Sequence, residues 1–365
     1  MVRGVRIPGL CCWVPLLVAL CSAEPALTQP APTSSRSDEA QPAAAEPSSA
    51  APSASTESPA SEAAYRGTGG FQAKIDAAAL AMRDSDPKLK QLSPKRAQAM
   101  TEFIVGNMLF VMMHETAHAA ITQMGLPVLG RMEDAADSFA ALRLIRIGSD
   151  FSHRVLTEAA QGWFMADRRD RDTGDKVAFY DEHQLNQQRA YQIVCLMVGS
   201  DADKFKDLAK ETKLPEERQE SCLGDFSNAA YSWDLLLKPH LRGPDQPKTK
   251  IDVVYGPVEG RGARARQVLT SVGALEIIAD HLADQYSWPA PFTLEMASCG
   301  FPNARWDLQT HKLTLCYELA ADFADLYRGY GPAEAPPKAA PVKRRTVGAA
   351  AYKPSQKAQK TRKHR

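Results

Sequence analysis

The sequence predicts an α+β fold, a mostly helical domain with a small β-hairpin or sheet near its C-terminal part. Two observations carry this prediction. Apolar residues recur at helical spacing over long segments between positions 93 and 286. Short runs at 292–296 and 312–316 alternate or are continuously apolar, as strands do. Of the 365 residues, we expect 68–331 to form this domain, because segments of biased composition flank it.

The N-terminus has the composition of a secretory signal peptide. Residues 1–23 combine two arginines, an apolar stretch from Leu10 to Leu20 and a small-residue cleavage site. The stretch is too short to span a bilayer. A lipoprotein signal ending at Cys21 is the less favoured alternative, because the bulky Leu20 precedes that cysteine.

Two further segments are expected to be disordered. Residues 24–67 are rich in Ala, Pro and Ser, as in a linker, and residues 332–365 form a basic tail. We interpret the tail as solubilising, with contact to anionic envelope components as the alternative. Since the net charge is +1 and the tail is basic, the remainder is net acidic, which argues against a nucleic-acid-binding core.

The predicted destination is outside the cytoplasm. Apart from the signal peptide, no stretch is long and apolar enough to cross a membrane. We therefore expect an exported protein, periplasmic or extracellular, without a transmembrane segment after signal cleavage.

The longest predicted helix begins at Ser93-Pro94 and ends before Gly125. Serine is a favoured cap, proline a favoured first residue and glycine a common C-terminal stop. A charged loop is expected at 167–176 and a possible strand at 251–255. Further helices are predicted at 131–147, 151–165, 181–197, 215–237, 264–286 and 318–327.

The long helix carries the motif His114-Glu115-Thr116-Ala117-His118, which reads HExxH. Residues four apart are neighbours on one helix face, so the two imidazoles can share a metal ion. Glu115 borders the same site and can act as a general base. Because unpaired His and Glu are costly to bury in so apolar a helix, a solvated helix face is the weaker interpretation.

A catalytic zinc needs a third protein ligand, and the next helix offers Glu133. A short connection makes the two helices antiparallel neighbours and returns Glu133 to the histidine face. Asp137, one turn further on, is placed to orient a histidine ligand. Asp134 and Asp137 are the rival third ligands.

Four cysteines remain after signal cleavage: Cys195, Cys222, Cys299 and Cys316. An even number in an exported protein indicates disulfides, and four cysteines allow three connectivities. Sequence locality favours Cys195–Cys222 and Cys299–Cys316. A second zinc site is the alternative, weakened because no CxxC pair occurs.

Together these motifs resemble zincin-type metallopeptidases of the glutamate-zincin kind. More closely, the chain resembles an uncharacterised bacterial family of predicted metallopeptidases. The resemblance covers about residues 109–327 and rests on HExxH together with four further groups of residues: Glu133 to Asp137, Asp181-Glu182-His183 with Gln188-Arg189, Cys195-Leu196, and Cys299-Gly300 with Asn303-Ala304 and Cys316-Tyr317-Glu318. It implies a fold class and a reaction type, and no particular substrate.

In most zincins the strand that lines the substrate cleft precedes the HExxH helix. Here the candidate strands, 292–296 and 312–316, follow it by well over a hundred residues. We interpret this as a rearranged order of the same parts. An exposed edge there would bind an extended peptide by strand addition.

The expected activity is zinc-dependent hydrolysis of a peptide or protein substrate, with one Zn²⁺ per chain. Glu115 is the expected general base, and His183 the candidate oxyanion donor, with Tyr180, Arg189 and Tyr317 as alternatives. A purely structural His183, bonded to Asp181 or Glu182, is equally compatible with the sequence.

Two other functions stay open. One is a non-catalytic envelope module that binds peptide or a partner protein, against which the intact Glu115 argues. The other is a zinc amidase acting on a cell-wall linkage, which the sequence does not separate from a peptidase.

Overall fold

The computed structural model of the protein describes residues 68–333, apart from 86 and 88. The predicted signal peptide and linker lie outside the described residues, and so does all but the first two residues of the predicted tail. Within the described part, none of the helices has the length and hydropathy that a bilayer-spanning segment requires.

The described residues form ten α-helices and four strands, so the predicted α+β, mostly helical class is confirmed. The first seven helices precede the first strand. In chain order they are α1 (Thr68–Ser85), α2 (Pro94–Gln123), α3 (Met132–Ile147), α4 (Asp150–Thr173), α5 (Asn186–Ser200), α6 (Ala202–Glu211) and α7 (Glu216–Leu237). The rest are β1 (Ile251–Tyr255), α8 (Ala263–Val272), α9 (Ala274–Gln285), β2 (Phe292–Ala297), β3 (Ala304–Asp307), β4 (Lys312–Cys316) and α10 (Tyr317–Tyr330).

Helix α2 is the central element of the fold. The Ser93 Oγ accepts the Arg96 backbone N–H at 3.2 Å, which caps its N-terminus as the sequence predicts. α1, α3, α4 and α10 pack around α2, and β3 and β4 contact it as well. Most residues of its second half are buried, His114 and Glu115 among them, and His118 is partly buried.

The four strands form one sheet in the order β1-β2-β4-β3. β1, β2 and β4 are parallel, whereas β3 is antiparallel to β4 and lies at the edge. The two predicted strands are therefore parallel neighbours, and the hairpin of this sheet is β3–β4. β3 was not predicted, and it places the edge strand beside α2.

Three helix predictions were wrong in their limits. α4 continues through the predicted charged loop to Thr173, because its charges pair along the helix, as in Arg171–Asp167 at 2.7 Å. Asp181 caps no helix, since α5 begins at Asn186. The predicted helix 264–286 is divided at Gly273, whose φ of 69° is incompatible with a continuous helix.

Helix α6 was not predicted at all. Asp201 caps it by accepting the Lys204 backbone N–H at 2.9 Å, and its apolar face is buried. The described residues contain two disulfides, Cys195–Cys222 between α5 and α7 and Cys299–Cys316 between the end regions of β2 and β4.

Candidate metal centre

The histidines of α2 and Glu133 of α3 meet at one point. The His114 Nε2 lies 3.2 Å from the His118 Nε2 and 3.0 Å from the Glu133 Oε2. The other carboxylate oxygen, Oε1, lies 3.4 Å from the His118 Nε2. Glu133 reaches this position because the short connection after Gly125 returns the chain against α2, and Glu133 lies in the first turn of α3.

Asp137 fixes the orientation of His114. The His114 Nδ1–H donates to the Asp137 Oδ1 at 2.8 Å, which leaves Nε2 directed at the cluster. Asp137 in turn accepts two hydrogen bonds of 2.7 Å from Arg189 on α5. The Arg189 guanidinium also lies 3.7 Å from the ring centroid of Trp163, so both Asp137 and the Trp163 ring fix its position.

Glu115 lies close to the edge of the sheet. Its side chain is buried, which raises the pKa of its carboxyl, and the nearby backbone N–H of Trp306 on β3 partly opposes this shift. The Trp306 indole N–H also donates to the Thr122 Oγ1 at 2.9 Å, which fixes β3 against α2 over two turns. The edge strand therefore lies directly beside the Glu115 carboxylate.

His183 reaches the same cluster from the loop that precedes α5. Its Nε2 lies 2.9 Å from the Glu133 Oε2, and its ring stacks on His114 with centroids 6.3 Å apart. The Asp181 Oδ1 accepts the backbone N–H of His183 at 2.9 Å and lies 3.2 Å from its Nδ1. The imidazole stays partly exposed, at the rim of the cluster.

The other candidate oxyanion donors lie elsewhere or point elsewhere. Arg189 is bound to Asp137 behind His114. The Tyr317 hydroxyl donates to the Gly256 carbonyl at 3.1 Å, next to β1. Tyr180 is 93% exposed. Asp134, one of the rival ligands, is not part of the His114–His118–Glu133 cluster.

The carboxylates of the cluster are held in the anionic form. Burial opposes this for both, but hydrogen bonds from the histidines outweigh it and lower the pKa of Glu133. Hydrogen bonds from His114 and Arg189 likewise lower the pKa of Asp137 to about 2. For His114, burial disfavours the charged ring, but the bonds to Asp137 and Glu133 prevail and raise its pKa to about 9. The site therefore favours a bound cation.

These residues fit a metal ion by the chemistry of their donors. The ligand atoms of His114, His118 and Glu133 all lie within 4.8 Å of one another. When His114 loses its Nε2 proton on metal binding, with its Nδ1–H committed to Asp137, the Nε2 lone pair points toward the same place as the carboxylate. Two imidazole nitrogens and one carboxylate are the ligand set of several catalytic zinc sites.

A second group of metal-type residues has a different explanation. Cys299, Cys316 and Glu318 also lie close together, but the two sulfurs are bonded to each other. The Glu318 carboxylate accepts the backbone N–H groups of Cys299 and Gly300 at 3.0 and 3.1 Å. Its role is to hold the loop that leads into β3.

The sequence singled out the histidines, Glu115, Glu133, Asp137 and His183, and the structure brings all of them together. It missed Trp306, which lies on a strand too short to show a period. It named Arg189 only as an alternative oxyanion donor, whereas this side chain binds Asp137, 52 residues away in sequence. The tripeptide Gln188-Arg189-Ala190 at the start of an apolar helix was the available signal for Arg189.

Comparisons with known proteins are consistent with this geometry. A search of curated proteins and a search of solved structures found no match. A family described as "Putative metallopeptidase" matches residues 72–237 and 256–351, which is most of the chain. A metallopeptidase requires a metal ion, and the His114–His118–Glu133 cluster can hold one. The chain belongs to this metallopeptidase family.

Proposed function

We propose that this chain is an exported metallopeptidase that hydrolyses peptide bonds with one zinc ion, held by His114, His118 and Glu133. The observation that carries the proposal is the convergence of two imidazole nitrogens and one carboxylate beside a buried glutamate. Three protein ligands leave a fourth position of a zinc ion open for water or substrate, as in catalytic zinc sites.

Glu115 is the proposed general base. Its carboxylate takes a proton from the attacking water and passes it to the leaving amine. Burial raises the pKa of this carboxyl above the usual range, which makes it a better proton acceptor than an exposed glutamate. Bound zinc would polarise the scissile carbonyl and acidify water. Asp137 and Arg189 keep His114 in position throughout.

His183 is the proposed donor to the oxyanion. Its imidazole lies at the exposed rim of the cluster, where a substrate carbonyl would enter, and Asp181 holds its ring. Hydrogen bonds to Glu133 and Asp181 raise the pKa of His183 and so support its charged form. When Glu133 holds the metal ion, the Nε2–H of His183 would be released to donate to the oxyanion.

The edge of β3 is the proposed binding strand for the substrate backbone. The Asn303 carbonyl accepts the Cys316 N–H at 3.0 Å. In an antiparallel pair every second residue is hydrogen-bonded to the partner strand, so residues 303, 305 and 307 form the hydrogen bonds with β4. The N–H and C=O groups of Ala304 and Trp306 therefore point away from β4, on the side of Glu115. An extended peptide paired there would lie across the metal cluster.

Export is supported by the signal-like N-terminus and by two disulfides, which persist in oxidising compartments. The disulfide between α5 and α7 joins cysteines 27 residues apart in sequence. A disulfide that closes a loop of this length typically stabilises the folded state by about 3 kcal/mol relative to the unfolded chain.

The function is tested by measuring zinc content and proteolysis together. We expect about one zinc ion per chain in the wild type and in Glu115→Gln, and little in His118→Ala. The wild type should cleave β-casein, whereas Glu115→Gln should lose at least 100-fold in rate. Glu182→Gln, a change in a neighbouring loop carboxylate, is the matched control and should keep both properties.

Cleavage that survives unchanged in Glu115→Gln would refute the general base, and a wild type without zinc would refute the site. A non-catalytic binding module predicts a third result, in which zinc is present and casein is bound but stays intact. An amidase predicts intact casein together with cleavage of an amide between a sugar and a peptide.

A further inference from the structure

A groove lies on the surface over α3, α5 and α7. It has a volume of about 940 Å³, and α3, α5 and α7 supply most of its walls. We call it the amide-lined groove and define it by Gln184, Gln188, Gln192, Asn228 and Ser232, together with Asp134. This volume lies at the upper end of ordinary ligand sites.

The groove borders the metal centre. Asp134 directly follows the proposed ligand Glu133, and Gln184 directly follows His183, so the backbones of these two wall residues adjoin residues that meet at the cluster. The groove therefore lies beside the site.

The lining groups match a polypeptide backbone. Gln184, Gln188, Gln192 and Asn228 carry neutral amides, which both donate and accept hydrogen bonds, as peptide groups do. The Gln192 Oε1 is buried and has no hydrogen-bond donor among the described residues. The charged pair in the wall, Arg218 with Asp225, is already joined by a hydrogen bond. This chemistry favours a neutral polar chain over an anion.

The length of the groove sets how much substrate it holds. From Arg218 to Ser232 the α7 wall extends about 21 Å at 1.5 Å per residue. This distance corresponds to about six extended residues at ~3.3 Å each.

We infer that the amide-lined groove is an extended binding site for about six residues of an unfolded polypeptide substrate on one side of the scissile bond. The inference rests on the proposed peptidase function and adds a preference for long, unstructured chains over short peptides.

Binding is measured separately from cleavage to test this inference. The probe is fluorescein-labelled β-casein, and its Kd for zinc-loaded Glu115→Gln protein is obtained by fluorescence anisotropy. In that background, Asn228→Trp and Ser232→Trp each place a large side chain in the groove from exposed positions on α7. We expect each to raise Kd at least tenfold. Leu223→Trp, 63% exposed on the opposite face of the same helix, is the matched control and should leave Kd unchanged.

Zinc content and thermal unfolding are recorded for every variant, so that a loss of binding is read only in folded, metal-loaded protein. The inference would be overturned if β-casein did not bind, or if Asn228→Trp and Ser232→Trp had the same Kd as Leu223→Trp. If the Kd depends on the groove residues but the wild type leaves casein uncleaved, binding in the groove would be supported and the proposed peptidase function refuted.

Discussion

Among single residues, Arg189 influences the metal centre although it does not contact the His114–His118–Glu133 cluster. It holds both oxygens of Asp137, which in turn holds the His114 ring. Partners of this kind set the orientation and basicity of a histidine ligand, and their loss typically costs 10–100-fold in metal affinity. Arg189 is therefore a positioning residue.

We expect Arg189→Met to weaken zinc binding by about 10–100-fold. Arg189→Lys should restore only part of the affinity, because an ammonium cannot form the two-pronged contact. Affinity is measured by competition with a chromogenic chelator. Arg168→Met, a change of an exposed arginine on α4, is the control. Equal zinc affinity in Arg189→Met and Arg168→Met would show that Asp137 positions His114 without help.

Glu158 is a buried carboxyl away from the metal, and it makes stability depend on pH. Burial and the nearby Glu102 raise its pKa from 4.5 to about 7. The folded state therefore prefers the protonated carboxyl. As pH rises from about 4.5 to 7, this group removes stability, to a limit of about 3 kcal/mol above pH 7.

Glu158→Gln should consequently raise Tm at pH 8 by several degrees and leave it almost unchanged at pH 4.5. Thermal unfolding followed by circular dichroism at both pH values measures the difference. Glu220→Gln, at an exposed site, should be neutral at both. A Tm gain that is the same at pH 4.5 and pH 8 would contradict the raised pKa.

At the scale of elements, β3 links the sheet to α2. Its four residues pair with β4 on one side only, and the Trp306 N–H on the other side reaches Glu115. The backbone N–H groups of successive residues in this strand point alternately toward β4 and away from it. Loss of the N–H group should therefore have different effects at neighbouring positions.

Ala304→Pro removes an N–H group that the sheet does not use, so Tm should change little while kcat/KM on casein-derived peptides falls at least tenfold. Arg305→Pro removes a ladder hydrogen bond and should lower Tm clearly. Thermal unfolding and peptide hydrolysis of the two variants are compared directly. Unchanged kcat/KM in Ala304→Pro would exclude strand addition at this edge.

The elements differ in how well the sequence predicts them, for physical reasons. α2 is delimited by local chemistry, since Ser93, Pro94 and Gly125 mark its ends, and the short connection then brings Glu133 back to the histidines. β3 contains Arg305 and Asp307 and is a strand only because β4 pairs with it. The place of Arg189 depends on the packing of α5 against α3 and α4, which no local pattern encodes.

At the scale of the whole molecule, a metal ion would connect the central helix to α3. His114 and His118 belong to α2, whereas Glu133 belongs to α3, so binding links two elements that are neighbours in the core. A ligand that binds only the folded state stabilises it by about 2.7 kcal/mol at a hundredfold excess over Kd.

We therefore expect zinc at that excess to raise the Tm of metal-free wild-type protein by about 5–10 °C. His118→Ala should show no comparable shift. Differential scanning fluorimetry of chelator-treated protein measures both. Equal shifts in the two proteins would mean that zinc binds elsewhere.

The central claim is that two histidines and one glutamate hold a zinc ion beside Glu115. X-ray absorption at the zinc edge of the wild-type protein tests it most directly. The predicted spectrum shows two imidazoles at 2.0–2.1 Å, oxygen ligands at about 2.0–2.2 Å and no sulfur. Scattering from sulfur at about 2.3 Å, or a spectrum that stays the same in His118→Ala, would contradict the account.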